Sequence, residues 1–159
     1  SVGDYDYVKS ALKALRVKEI VWKVSQKPGK PLYVGKKGNT LVFGLPGNPA
    51  SVFTCFYEYV YPALQKMRGC QKPELAQEKV RVDPPVRFSS KKHLFLKSLI
   101  TKKQNRKTVR VLAQQGSHMM SSLCSANAFV SIPPQRKNSR SQAKVVTHLF
   151  PYASNGGFS

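Results

Sequence analysis

The sequence predicts an α/β segment followed by a small all-β, barrel-like domain. Three observations carry this expectation. Helix-spaced apolar residues bracket strand-like runs before residue 68. A polar stretch, "RGCQKPELAQ", then interrupts the pattern. Beyond it only short strand-like runs recur, as in a small barrel or sandwich. The expected domains are residues 1–72 and 78–153.

The elements follow in chain order. Val8, Ala11, Leu12 and Leu15 recur at helical spacing, with Asp4 and Asp6 ahead of them as candidate N-caps. "EIVWKV" reads as a strand, broken by "KPGKP" and resumed by "LYVG". "KKGN" is a hairpin-type turn, and "TLVFG" is an apolar run suited to a buried strand. After "GLPGNPAS", Val52, Phe56, Tyr59, Ala63 and Met67 fall on one helical face. Pro62 should kink that helix or leave one carbonyl unpaired. In the second half, "KVRV", "HLFLKSLI", "TVRVLA", "AFVSI" and "KVVTHLF" read as strands. "QQGSHMMSSLCSAN" reads as irregular with one helical turn, and the tail "ASNGGFS" as frayed.

Composition narrows the function classes. With 41% hydrophobic residues in 159, a real core is expected rather than disorder. No apolar run approaches the roughly 20 residues that cross a bilayer, and no membrane partner is expected. Cys55, Cys70 and Cys124 are scattered, without a CxxC pair, so neither a disulfide framework nor a zinc site is suggested. A reducing cytoplasm is the expected location. The opening "SVGDYDY" resembles the inside of a domain, which suggests a piece of a longer chain. The net charge of +20 favours anionic partners. Residues 1–77 hold 12 Lys and Arg against five Asp and Glu, and residues 78–159 hold 15 against two.

Two loops could hold an anion. In Lys27-Pro28-Gly29-Lys30, proline second and glycine third favour a type II turn that brings the two lysines together. Lys23, on the preceding strand, is placed to join them. The alternative is a plain turn with exposed lysines. Leu45-Pro46-Gly47-Asn48 fits the same turn, with Asn48 as N-cap and Pro49 at the first helical position. The amides of Ala50, Ser51 and Val52 would then point out of a helix start, and Ser51 adds a hydroxyl. The alternative is a helix start satisfied by Asn48 and water. Parallel pairing of the first-half strands would bring both loops to one sheet end. Asp6 is either a cap or a Mg²⁺ ligand and proton-transfer group. The histidines His93, His118 and His148 show no ligand spacing.

"SVGDYDYVK", "KPGKP", "GLPGNPAS" with its aromatic helix, and "QGSHMMSSLCSANAF" occur in that order. In this the chain resembles the C-terminal part of the molybdopterin molybdenumtransferase family, MoeA and the E domain of gephyrin. The resemblance runs to about residue 150. It implies a partial three-layer molybdopterin-binding domain and a C-terminal β-barrel. It further implies insertion of molybdenum from molybdate into adenylylated molybdopterin, with release of AMP. Mg²⁺ is the implied cofactor and a homodimer the implied assembly of the full-length protein.

Carried over residue by residue, Asp6 matches an acidic active-site position and is the expected metal ligand. Asp6, Lys23 and Lys27 form the expected catalytic set. Ser1, Lys27, Lys30, Gly47, Asn48, Pro49, Ser51, Lys92 and Ser125 are the expected ligand-binding set. Lys92 and Lys97 stand where the family pattern R-x-x-F-x-R has arginine, which keeps the charge and loses the bidentate fork. Arg16 stands where a helix-ending glycine is usual. With part of the pocket lying upstream, the chain alone is expected to be weakly active or inactive. The rival readings are a basic nucleic-acid-binding module and a scaffold. Nucleic acid is not the expected partner, because the barrel half lacks a run of exposed aromatics.

Overall fold

A computed structural model of the chain describes residues 7–86, 89–103, 106–116, 121–134 and 144–154. Helix α1, Val8–Ala14, has the expected spacing but buries no side chain completely. Tyr7, not Asp4 or Asp6, occupies its N-cap position, without a side-chain cap bond. Asp4 and Asp6 lie outside the described residues. The helix ends on Arg16 at φ 55, with Arg16 N–H donating to Lys13 and Val17 N–H to Leu12. This is the double bond of a Schellman cap, formed here on a non-glycine residue.

Strands β1 (Lys18–Trp22), β3 (Tyr33–Lys37) and β4 (Thr40–Gly44) form a sheet in the order β1-β3-β4. Its pairings are antiparallel, so the parallel arrangement that would bring the two loops together is not the one formed. The two loops share a sheet end all the same. Trp22 pairs with Tyr33, and Tyr33 with Gly44, so "KPGKP" and "GLPGNPAS" leave the same edge. The "KKGN" turn forms as expected, with Gly38 at φ 56. "TLVFG" proves to be a half-buried edge strand.

The aromatic segment is one helical rod of three parts: α2 (Pro49–Cys55), a π turn (Phe56–Val60) and α3 (Tyr61–Met67). Pro62 has no N–H to give, and the wide turn lies immediately ahead of it. The expected apolar face is not the buried one, and the buried stripe lies in α2, ahead of the wide turn. Met67 is 67% exposed and Phe56 36%, whereas Ala50, Ser51, Thr54 and Cys55 are buried. The rod closes in a second Schellman cap, on Gly69 at φ 82.

The second half is a closed five-stranded barrel. Strands β5 (Gln77–Val82), β6 (His93–Lys103), β7 (Arg106–Val111), β8 (Ala128–Ile132) and β9 (Lys144–Leu149) run in the order β6-β7-β5-β9-β8, and β8 returns to β6. Alternation along the strands aims Val80, Val82, Ile100, Val109, Val130 and Val145 at one core. Two short helices accompany it, the expected turn α4 (Ser121–Cys124) and α5 (Pro151–Ser154), which the frayed-tail reading missed.

Among the described residues, an aromatic contact and a short strand fasten the barrel to the first half. Phe53 and Tyr57 of the rod pack on Phe129 and Phe150, with Phe53–Phe150 and Tyr57–Phe150 ring centroids 5.2 Å apart. Beside them Glu58 accepts a hydrogen bond from His148 Nδ1 at 2.9 Å. The second fastening is β2 (Gln26–Lys27), the start of the "KPGKP" loop, which pairs parallel with His93 and Leu94 of β6. Among the described residues, no helix is long and apolar enough to cross a membrane.

Candidate functional site

The β2 pairing sets the "KPGKP" loop against the barrel and opens a cleft of about 590 Å³. Lys27, Gly29, Lys30 and Ser51 line it from the first half, and Lys92, Gln115 and Gly116 from the barrel. Four of the expected ligand-binding residues, Lys27, Lys30, Ser51 and Lys92, therefore meet in one place. Its described lining contains three lysines and no carboxylate. Such a set repels itself in isolation and attracts an oxyanion.

Local chemistry explains each wall. Gly29 takes φ 89, the left-handed geometry expected for the third turn position. It also lies flat on the rod, where an added Cβ would come within 2.6 Å of Cys55 Sγ and 2.9 Å of Gln26 Nε2. The peptide before Pro28 is cis, and the loop is closed by Val24 N–H donating to the Lys30 carbonyl. Underneath, Tyr59 Oη donates to Gln26 Oε1, and Gln26 Nε2 donates to the Pro28 carbonyl at 3.0 Å. Burial pushes the Cys55 thiol up to about 12 and the Tyr59 phenol likewise to about 12, so both stay neutral. They support the loop and supply no nucleophile.

The barrel wall is held by Gln115. Its Oε1 accepts from Lys97 N–H at 3.0 Å, and its Nε2 donates to the Lys97 carbonyl at 2.9 Å. Lys97 itself is buried, with Nζ donating to the Gly116 carbonyl at 3.1 Å. Burial lowers the pKa of this ammonium. The two lysines at the pattern's arginine positions thus separate: Lys92 faces the cleft and Lys97 braces the loop behind it. Gln115 and Gly116 were missed as lining residues, although they open the "QGSHMMSSLCSANAF" region that carried the resemblance.

The "GLPGNPAS" loop differs from its expected geometry. Gly47 lacks the positive φ that a type II turn requires. Asn48 holds the N-cap position without a side-chain bond, and Pro49 stands at the helix start as expected. Ser51 and Val52 N–H both donate to the Asn48 carbonyl at 2.9 Å, so these two amides are not free for an anion. What the loop brings to the cleft is the Ser51 side chain, 5% exposed.

The other expected residues lie elsewhere. Gly47 lines a smaller hollow of about 140 Å³ with Trp22, Tyr33 and Leu45. Asn48 and Pro49 are exposed outside both. Lys23, at φ 64, lays its ammonium 5.2 Å from the Trp22 ring centre and does not line the cleft. Ser125 lines a separate hollow with Gln114, Ser121 and Ser122. Ser1, Asp6 and His118 are outside the described residues. His93 and His148, far apart in sequence, flank Phe95, with centroids 4.6 and 5.9 Å from its ring.

Comparison with known proteins agrees with this architecture. Residues 1–66 match the family model described as probable molybdopterin binding domain, and residues 79–148 match MoeA C-terminal region (domain IV). The chain is 32% identical over 150 residues to a molybdopterin molybdenumtransferase of Haemophilus influenzae, covering 87% of this chain and 34% of that protein. It is 30% identical over 152 residues to the molybdenum cofactor synthesis protein cinnamon of Drosophila melanogaster, covering 95% of this chain and 25% of that one. A crystal structure of the molybdopterin biosynthesis moeA protein of Pyrococcus horikoshii superposes with a TM-score of 0.68 at 26% identity, over 92% of this chain and 40% of that one. The chain thus spans a quarter to a third of the length of these two curated relatives. With an α/β segment and a barrel that match in the same order, the chain belongs to the MoeA family.

Proposed function

We propose that the chain acts in molybdenum cofactor synthesis as part of a molybdopterin molybdenumtransferase, with residues 1–72 and 78–153 as its two domains. The reaction would insert molybdenum from molybdate into adenylylated molybdopterin and release AMP. The observation that carries this reading is the meeting of Lys27, Lys30, Ser51 and Lys92 in one cleft whose described lining carries no carboxylate. The lysines hold oxyanions, and the Ser51 hydroxyl donates to one of their oxygens. Phosphoryl chemistry asks chiefly for such positioning and charge stabilisation. Gln115 and Gly116 form the opposing wall.

Asp6, the expected Mg²⁺ ligand, lies outside the described residues. Among the described residues, no group of three His, Cys, Asp or Glu could hold a metal ion. Lys23 and Ser125 have no part in the cleft as described.

Calorimetric titration with molybdate, AMP and adenylylated molybdopterin tests the proposal. Lys27→Ala with Lys30→Ala should weaken molybdate binding about tenfold or more, corresponding to at least about 1.4 kcal/mol. Ser125→Ala should leave it unchanged. Equal affinity in the lysine variant and the parent chain would overturn the assignment.

A further inference from the structure

The far end of the barrel carries a second basic surface. β6 spans His93 to Lys103, about 33 Å at the usual rise of a strand. The cleft lies at its His93 end. At the other end, strands β9, β5, β7 and β6 lie side by side. Arg81 pairs with Lys144 and with Thr108, Thr108 with Thr101, and Arg106 with Lys103. Val80, Val82, Ile100 and Val109 point into the core. Alternation therefore puts Lys79, Arg81, Lys103, Arg106 and Arg110 on the outer face, and Lys144 joins Arg81 there.

Three features distinguish this face from ordinary solvated charge. Among the described residues, none of those six cations is in an ion pair with a carboxylate. The nearby Glu78 is already engaged, accepting from Lys107 Nζ at 2.7 and 2.8 Å, which leaves Asp83 as the remaining acid beside the patch. Secondly, Arg81 and Lys144 are directly opposed, as are Lys103 and Arg106. Like charges directly opposed across strands destabilise a sheet, and an anion lying over them reverses the sign. Thirdly, β5 and β7 share only two residue pairs and then diverge. They leave an open furrow of about 740 Å³ lined by Lys79, Arg81, Arg106, Lys107 and Lys144.

We propose that this face binds the phosphate backbone of a double-stranded nucleic acid without regard to base sequence. Its cations spread over four neighbouring strands, a width of about 14 Å at the usual strand spacing. That exceeds a single phosphate and suits a row of them. Thr101 and Thr108, with hydroxyls 3.5 Å apart, supply neutral donors at its centre. No aromatic side chain stands among these positions. Single-strand binders stack bases on aromatic side chains, so a duplex backbone fits better. The proposal is independent of the cleft, which lies at the opposite end of β6.

Fluorescence anisotropy with a labelled duplex of about 20 base pairs tests it, with log affinity followed against log salt concentration. Arg81→Gln, Arg106→Gln and Lys144→Gln together should lower affinity about tenfold or more and flatten the salt slope by about two to three. A control with the same charge change, Lys36→Gln, Lys37→Gln and Lys66→Gln, should stay within about twofold of the parent. Lys144→Glu alone provides a second variant should the triple variant fold poorly. It should weaken duplex binding while the thermal midpoint holds or rises, because Glu opposite Arg81 replaces a repulsive pair with an attractive one. Equal losses in both triple variants would mean net charge alone acts and would overturn the proposal. Tighter binding of the single strand, or binding of heparin or a poly-glutamate peptide but not the duplex, would also overturn it.

Discussion

Replacing Gly29 by alanine tests how the cleft wall is built. Two costs add. A side chain at φ 89 meets the carbonyl crowding that L residues avoid, at about 1–2 kcal/mol. The new Cβ would then stand 2.6 Å from Cys55 Sγ and 2.9 Å from Gln26 Nε2. Neither atom yields cheaply: Cys55 is fully buried, and the Gln26 amide is held by Tyr59 and the Pro28 carbonyl. Overpacking of this kind costs about 1–3 kcal/mol. The expected loss is about 2–5 kcal/mol out of a typical total of about 5–15. Urea unfolding followed by Trp22 fluorescence and circular dichroism reads it. Cys55→Ala in the Gly29→Ala background should recover about 1–2 kcal/mol, because it removes the closest clash and leaves the backbone penalty. The same Gly29→Ala variant should also lose molybdate affinity, since the loop carrying Lys27 and Lys30 must lift off the rod. Single costs that add within about 0.5 kcal/mol would refute the clash as the cause.

Three further outcomes follow from the geometry. Arg16→Gly should stabilise the chain by about 1 kcal/mol, because Arg16 occupies a left-handed cap position that glycine fills without strain; thermal unfolding checks it. Asn127→Ala should cost about 3 kcal/mol in the same measurement. The Asn127 side chain accepts from Ile100 N–H at 2.7 Å and donates to its carbonyl at 2.9 Å, so its loss strands two buried backbone groups. His93 sits below its ordinary 6.5, first because of burial and then because of His148, with Glu58 pulling the other way. The unfolded chain therefore takes up the proton more readily than the folded one. The stability His93 contributes is present above its unfolded pKa and is lost as pH falls through its folded value. Unfolding free energies between about pH 7.5 and 5.5 should show this loss, and His93→Asn should flatten it.

The sequence showed its local grammar clearly and its long-range pairing poorly. The strand runs of the barrel, the "KKGN" turn and the left-handed Gly29 were legible because side-chain alternation and turn chemistry are local. Even the strain at Arg16 could be anticipated. The buried face of the rod was not, since α2 buries the small residues Ala50, Ser51, Thr54 and Cys55, a stripe that large apolar side chains do not mark. β2 was missed because two residues carry no periodicity, and its pairing depends on a strand 67 residues later, Gln26 with His93. For the same reason Lys92 could be named as a site residue only through resemblance. Gln115 and Gly116 had no local signal. Lys23 looked close to Lys27 along the chain, but its left-handed backbone turns it onto Trp22.

The short strand β2 also bears on how the protein could be divided. It covers β6 at His93 and Leu94, while β7 pairs with that strand only from Ser98 onward. A barrel cut free at the linker would bare that edge and the aromatic patch around Phe150 together. The two halves, produced as separate polypeptides, would present matching halves of one seam: an open edge and a strand to fill it, a ring cluster and the rod that covers it. Such a pair has what fragment complementation needs, and reassembly in a test tube would rebuild the cleft only where the seam closes.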